Sequence, residues 1–372
     1  MTSIQNQQAF IALVKAGLWE QEVRLSSFNR IDFNEIFQLA EEQSVTGLVA
    51  AGLEHVIDVK VPKDIILQFV GSALQLEQRN MAMNQFVADI VEKMRAAGIY
   101  TLLLKGQAVA QCYERPLWRA AGDVDFFLSD DNYQKAKGFL IPIATNVEDE
   151  DCNYRHIAMT IAPWVVELHG SLRNGLWKRF DATLDEIQDE IIYGGCVRSW
   201  LNDKTQIFLP RVDEDIVYVF SHILQHFFQE GIGLRQVCDW CRLLWTYRGK
   251  IDCTLLQKRL CSMGVLTEWQ TFAYLAVNKL GMPEEGMPFY TSSNRWRKNS
   301  NKVLDFIFGT GNFGHNRDYG YYEKYPFLEY KAISLWRHTK DGLHYFSMFP
   351  IDSIKVWCSM IKTGITKTLK GI

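Results

Sequence analysis

No stretch of this chain approaches the roughly 18 consecutive apolar residues that a membrane-spanning helix needs, so no span is expected. An excess of one charge is also missing. Forty Lys and Arg against 43 Asp and Glu leave a net charge of −3, which argues against a protein whose main task is gripping nucleic acid. The eight cysteines are scattered, and MTSIQNQQAF at the start has neither the basic nor the apolar region of a secretory signal. The expectation is a cytoplasmic protein with reduced thiols. There is no internal repeat and no low-complexity segment. What remains is a chain of 372 residues, long enough for a sizeable core and two or three sub-domains.

One cysteine pattern resembles a metal or redox site: Cys238-Asp-Trp-Cys241, with Cys253 and Cys261 beyond it. It falls in a helical period carried by Val237, Trp240, Leu243 and Leu244, without turn chemistry. Buried cysteine acting as a small hydrophobe accounts for it.

The hydrophobic period divides the chain into three. Residues 1–98 read as helices, over Gln5–Leu18, Asn34–Glu42, Val45–His55 and a long stretch after Pro62 that stops at Ala97-Gly98. Over 99–205 the pattern changes. An apolar run, Ile99–Leu104, is broken by Lys105-Gly106, then come a helical Gln107–Tyr113 and a strand, Asp123–Leu128. Ser129 is placed to cap a helix over Asp130–Leu140, and strands Arg155–Ile161 and Trp164–Leu172 follow. From 206 to 372 helices return: Asp213–Glu230, Leu234–Tyr247, Thr254–Met263, Glu268–Leu280, Arg295–Phe308 and a tail from Leu328. The fold class is therefore α+β, with strands in the middle third and helices on either side.

Asp123 and Asp125 are the anomaly in this pattern. They alternate with Val124 and Phe126, so both project from one face of a short strand that should be building core. Carboxylates about 6–7 Å apart along a strand repel each other unless a positive group lies between them. A divalent cation with oxygen preference, Mg²⁺, satisfies that need, and two such ions fit phosphate chemistry. Glu167, flanked by apolar residues in WVVELHGSL, repeats the anomaly. If its strand lies beside that of the aspartates, three carboxylates converge, and Glu167 either completes the metal shell or acts as general base. Upstream, Lys105 and Gly106 open a helix whose N-terminus suits phosphate.

These residues resemble a family. Lys105-Gly106, Arg119, Gly122-Asp123-Val124-Asp125 and Glu167-Leu168-His169 look like the uncharacterised nucleotidyltransferase family of the polymerase-β-like superfamily. HILQHFFQEGIGLRQVCDW and GNFGH extend the likeness into the helical half. The resemblance implies a nucleotidyltransferase-type mixed sheet with helices. It also implies Mg²⁺-dependent transfer of a nucleoside monophosphate from ATP or another NTP to an acceptor hydroxyl, releasing pyrophosphate. Asp123, Asp125 and Glu167 would be the metal-binding and catalytic residues, while Lys105, Gly106, Arg119 and His169 would meet substrate. The acceptor would be a small molecule, a sugar or a protein. Two departures stand out: Gln107 replaces a small or hydroxylated residue, and the Gly106–Asp123 gap is long. A non-catalytic nucleotide-binding or scaffold protein on the same fold is the alternative.

Other residues have plainer readings. Arg119 either neutralises phosphate or holds the aspartates. His169 reads as a donor behind the metal ligands rather than a ligand, since oxygen suits Mg²⁺. His222 and His226, at i and i+4, lack the third ligand of a zinc site and face the cleft or pack in the core. Arg235 and Asp239 have the spacing of a helix ion pair. The glycine-rich stretch with Gly311, Phe313, Gly314 and His315 turns a corner or covers a substrate. The tail from Lys331 carries seven Lys or Arg and two Asp. It reads as a docked helix, with peripheral contact to an anionic membrane as the alternative.

Overall fold

The computed structural model describes residues 4–28, 30–314, 316 and 325–369. Four helices come first: α1 (Ile4–Trp19), α2 (Phe33–Glu42), α3 (Thr46–Glu54) and α4 (Lys63–Ala96). Asp32 starts α2 by accepting from the backbone N–H groups of Asn34 and Glu35, at 2.9 and 3.3 Å. α1 and α3 meet backbone to backbone at glycines. A Cβ on Gly17 would lie 1.9 Å from the Leu48 carbonyl oxygen, and one on Gly52 would lie 2.1 Å from that of Leu13. Only a hydrogen side chain permits the crossing.

The sheet region follows as β1 (Leu102–Leu104), α5 (Gly106–Ala110), β2 (Asp123–Phe127), α6 (Asp130–Leu140), β3 (Asn146–Val147), β4 (His156–Ile161) and β5 (Trp164–His169). The five strands lie in the order β1-β2-β5-β4-β3. β2 and β5 are parallel, and the other neighbours are antiparallel. This is the mixed sheet that the family resemblance implies. Ser129 stands at the start of α6, but its side chain accepts from Asn132 instead of capping the backbone. Next come α7 (Lys178–Tyr193) and a hairpin, β6 (Arg198–Asn202) with β7 (Thr205–Leu209).

The helical half comprises α8 (Val212–Gln229), α9 (Leu234–Tyr247), α10 (Cys253–Met263), α11 (Leu266–Asn278), α12 (Asn294–Thr310), α13 (Phe327–Phe346) and α14 (Pro350–Leu369). Asp252 caps α10 on the Leu255 N–H, at 2.9 Å. Cys238 and Cys241 are buried in the core on α9, and all eight cysteines are free thiols. His315 and residues 317–324 of the glycine-rich stretch lie outside the described residues.

Two apolar clusters hold the molecule together. One joins the N-terminal helices to α8–α12 and reaches the last two helices through Tyr345, Phe349 and Val356. The basic tail is therefore packed on the body at these residues. The second cluster fills one face of the sheet. Val124, Phe126, Val166 and Leu168 pack with Met83, Val87 and Ile90 of α4 and with Tyr133 and Leu140 of α6. Strand alternation sends Asp123, Asp125, Glu167 and His169 to the opposite face. No helix among the described residues is long and apolar enough to cross a membrane.

Candidate active site

Register is what brings the acidic residues together. β2 pairs with β5 so that Asp125 stands opposite Glu167 and Asp123 opposite Val165. One carboxylate oxygen from each of Asp123, Asp125 and Glu167 can be chosen so that all three lie within 4.8 Å of one another. Asp125 is almost wholly buried, at 2% exposure, while Asp123 and Glu167 are half-buried.

The charges in this cluster are not left bare. The Lys105 ammonium lies 3.1 Å from Asp125 Oδ1 and donates to His222 Nε2 at 2.8 Å. His169 Nε2 donates to Asp125 Oδ1 at 2.9 Å and lies 3.5 Å from Glu167 Oε2. His156 Nε2 donates to the same Glu167 oxygen at 3.2 Å. So the positive groups beside the aspartates are, in the first place, a lysine and an imidazole of the chain itself.

Titration follows from these contacts. Asp123 is pushed above the usual carboxylate range, first by the neighbouring Asp125 and then by burial. Burial acts the same way on Glu167, but hydrogen bonds from His156 and His169 and the Lys105 charge outweigh it and hold Glu167 well below that range. Burial would lower His169, yet its bonds to Asp125 and Glu167 raise it. Lys105 is likewise raised against its burial by Asp125, Tyr218 and the other carboxylates. His222 goes the opposite way: burial and then Lys105 keep it neutral, which suits an acceptor of the lysine's proton.

Backbone strain marks the turn that delivers the lysine. Lys105 adopts φ 47° and ψ −139°, and Gly106 follows at φ 38°. A non-glycine residue there costs on the order of 1–3 kcal/mol, which the Nζ contacts offset. α5 is only five residues long. The phosphate attraction assigned to its N-terminus therefore shifts to side chains. Gln107 turns away from the site, its amide donating to Asn84 and Asn80 of α4 at 2.9 and 3.3 Å.

Two cavities meet at Lys105, Asp123, His222 and Phe313. The smaller is lined by Gly106, Arg119, Arg235 and Gln236. The larger is an open cleft of about 3170 Å³. Glu167, His169 and His226 line it, and so do Leu335, Trp357 and Met360 of the two last helices.

Arg119 does not hold Asp123 or Asp125. Its Nε and Nη2 donate to Asp239 at 3.0 and 2.6 Å, leaving Nη1 buried without a hydrogen-bond partner. The helix ion pair expected between Arg235 and Asp239 is thereby displaced. Arg235 donates instead to the Ala120 carbonyl at 2.9 Å and sits 5.9 Å from the Phe313 ring centre, and its Nε is buried without a partner. Burial, and then Arg119, lower its pKa. His226 is a neighbour of His222, with Nε2 atoms 3.0 Å apart, and it donates from Nδ1 to Glu230 at 2.9 Å.

Sequence reasoning missed Arg235 and His156 as site residues. His156 was legible through the β4–β5 turn: Ala162-Pro163 pairs Ile161 with Trp164, and counting outward puts His156 opposite His169.

An α+β protein with a mixed sheet, whose cleft-facing side gathers acidic side chains from two adjoining parallel strands, is of a class that nucleotidyltransferases can share. The chain belongs to the family described as uncharacterised nucleotidyltransferase, which matches residues 29–281. Membership carries a general role in nucleotidyl transfer, with a nucleotide as substrate. No curated protein and no solved structure matches the chain.

Proposed function

We propose that the protein transfers a nucleoside monophosphate from an NTP to the hydroxyl of an acceptor, with release of pyrophosphate and dependence on Mg²⁺. The observation that carries this reading is the meeting of Asp123, Asp125 and Glu167 on β2 and β5 at the junction of two cavities. Three carboxylates, two of them on one short strand, form an all-oxygen donor set that fits Mg²⁺. When bound, the cation neutralises phosphate charge and makes the acceptor hydroxyl more acidic.

The chain's own residues have distinct parts in this scheme. Asp123 and Asp125 hold the cation. Glu167, kept ionised far below neutrality, is a weak proton acceptor and suits the ligand role better than that of general base. The triphosphate occupies the smaller pocket, where Lys105 and Arg235 supply positive charge and Gly106 interposes no side chain. Arg119 adds its unpartnered Nη1 to the same wall. The acceptor occupies the larger cleft, whose size admits a sugar or a peptide loop beside the nucleotide.

Thermal unfolding with each NTP, with and without Mg²⁺, tests the proposal. At about 100 times the dissociation constant a bound nucleotide should add roughly 2.7 kcal/mol of stability. That gain should require Mg²⁺ and vanish in the Asp123→Asn/Asp125→Asn double variant. Equal gains in wild type and double variant would sink the metal assignment, and no gain with any NTP would favour a scaffold.

A further inference from the structure

Nitrogen ligands adjoin the acidic cluster. β4 and β5 form an antiparallel hairpin in which His156 stands opposite His169, while Glu167 is two residues before His169 on the same face. The two imidazole rings are tilted with centres 4.8 Å apart. His156 Nε2 lies 3.2 Å from Glu167 Oε2, and His169 Nε2, which donates to Asp125 Oδ1 at 2.9 Å, lies 3.5 Å from the same glutamate oxygen. A ligating atom from each of the three can be chosen so that all lie within 4.8 Å of one another.

We propose that His156, Glu167 and His169 form a second cation site, for a transition ion of the Zn²⁺ class, which shares Glu167 with the oxygen site at Asp123 and Asp125. Ligand atoms about 2.0–2.1 Å from such an ion lie roughly 3.0 Å apart across an octahedral edge and about 3.4 Å apart across a tetrahedral one. The 3.2 and 3.5 Å separations match those edges. Two imidazoles and a carboxylate favour Zn²⁺, Mn²⁺ or Fe²⁺ over Mg²⁺, whereas the aspartates, all oxygen, favour Mg²⁺. The arrangement thus sorts two cations by donor chemistry. Without an ion, the His156 proton is directed to Glu167 and the His169 proton to Asp125.

All three residues line the larger cleft. Three protein ligands leave coordination positions for water or substrate, as in catalytic rather than structural zinc sites. The inference deepens the nucleotidyl-transfer reading by assigning this ion to the acceptor side, but metal affinity is measured without nucleotide and stands or falls separately.

Co²⁺ is the probe, titrated into the full-length metal-free protein in the presence of excess Mg²⁺ and followed by its visible d–d absorption. Wild type should bind one equivalent with a band of reduced symmetry. His156→Ala and His156→Gln should each weaken Co²⁺ binding by more than about 100-fold, beyond what loss of a supporting contact costs, while unfolding at the wild-type temperature. Asp123→Asn should keep the band. The assignment is overturned if Mg²⁺ excess suppresses Co²⁺ binding in wild type, if the His156 variants keep the band, or if Asp123→Asn abolishes it. Failure of the nucleotide experiment with the band intact would overturn the transfer reading and leave the second site in place.

Discussion

Asp239 binds Arg119, not the arginine four residues before it on its own helix. The Arg119 guanidinium is 5% exposed and makes two hydrogen bonds to Asp239, at 3.0 and 2.6 Å, and Tyr113 donates a third at 2.7 Å. This network ties the segment before β2 to α9 and so fixes the approach of the chain to Asp123. Asn80 of α4 adds to it by donating to the carbonyls of Leu117 and Arg119 at 2.7 and 2.8 Å. Asp239→Asn removes the countercharge and strands a buried guanidinium, which should cost about 3–5 kcal/mol. Urea unfolding of the variant measures this, and a loss below about 1 kcal/mol would show that the pair is not what anchors the segment.

Because Asp239 is taken, Arg235 keeps positive charge in the smaller pocket with one nitrogen unpartnered. A charged hydrogen bond to phosphate contributes about 1.5–3 kcal/mol. Arg235→Ala should therefore raise the dissociation constant for an NTP about 10- to 100-fold, with little change in folding stability. Arg235→Lys should recover part of the affinity, since lysine keeps the charge but not the planar fork. Calorimetric titration of the three proteins decides. Unchanged affinity in the alanine variant would move the triphosphate to the larger cleft.

How much of this was legible in the sequence depends on whether the information was local. The period of 3.6 placed α9 over Leu234–Tyr247, as the structure has it, and Asp130–Leu140 likewise. The carboxylates were visible because charge interrupts an apolar strand, an anomaly that needs no partner to be noticed. Their convergence was conditional on β2 and β5 being neighbours, and the parallel register supplies it. The strand before Lys105 is only Leu102–Leu104, since β1 extends no further than its ladder with β2. Arg119 and Asp239 are 120 residues apart in the chain, so helix spacing favoured the wrong arginine. The β6–β7 hairpin and α7 went unread. In β6, Ser199 and Leu201 are exposed and the other residues only half-buried, so no clear apolar alternation marks the strand.

A buried acid lies beneath α14. Glu268 on α11 is fully buried, both its oxygens lack a hydrogen-bond donor, and Asp352 of α14 lies beside it. Burial, and then Asp352, raise its pKa well above the usual carboxylate range, against a smaller opposing effect from Lys355, which pairs with Asp352 at 2.8 Å. A group whose pKa is raised in the folded state contributes stability that is fully present below its unfolded value, near 4.5, and lost as pH rises through the folded value. Wild type should therefore lose stability as pH rises from about 4.5 toward the raised folded value, because burial and Asp352 keep folded Glu268 protonated while the unfolded chain ionises. Each pH unit between the unfolded value and the raised folded one costs about 1.4 kcal/mol, and the loss levels off once Glu268 ionises in the folded state as well. Glu268→Gln keeps the shape and cannot ionise, so its melting temperature should fall less steeply as pH rises from about 4.5, and the gap between the two proteins should widen until the folded glutamate ionises. Melting curves recorded from acid to alkaline pH test this. Parallel curves would mean that Glu268 keeps the same pKa folded and unfolded, and that α14 is held without regard to its charge.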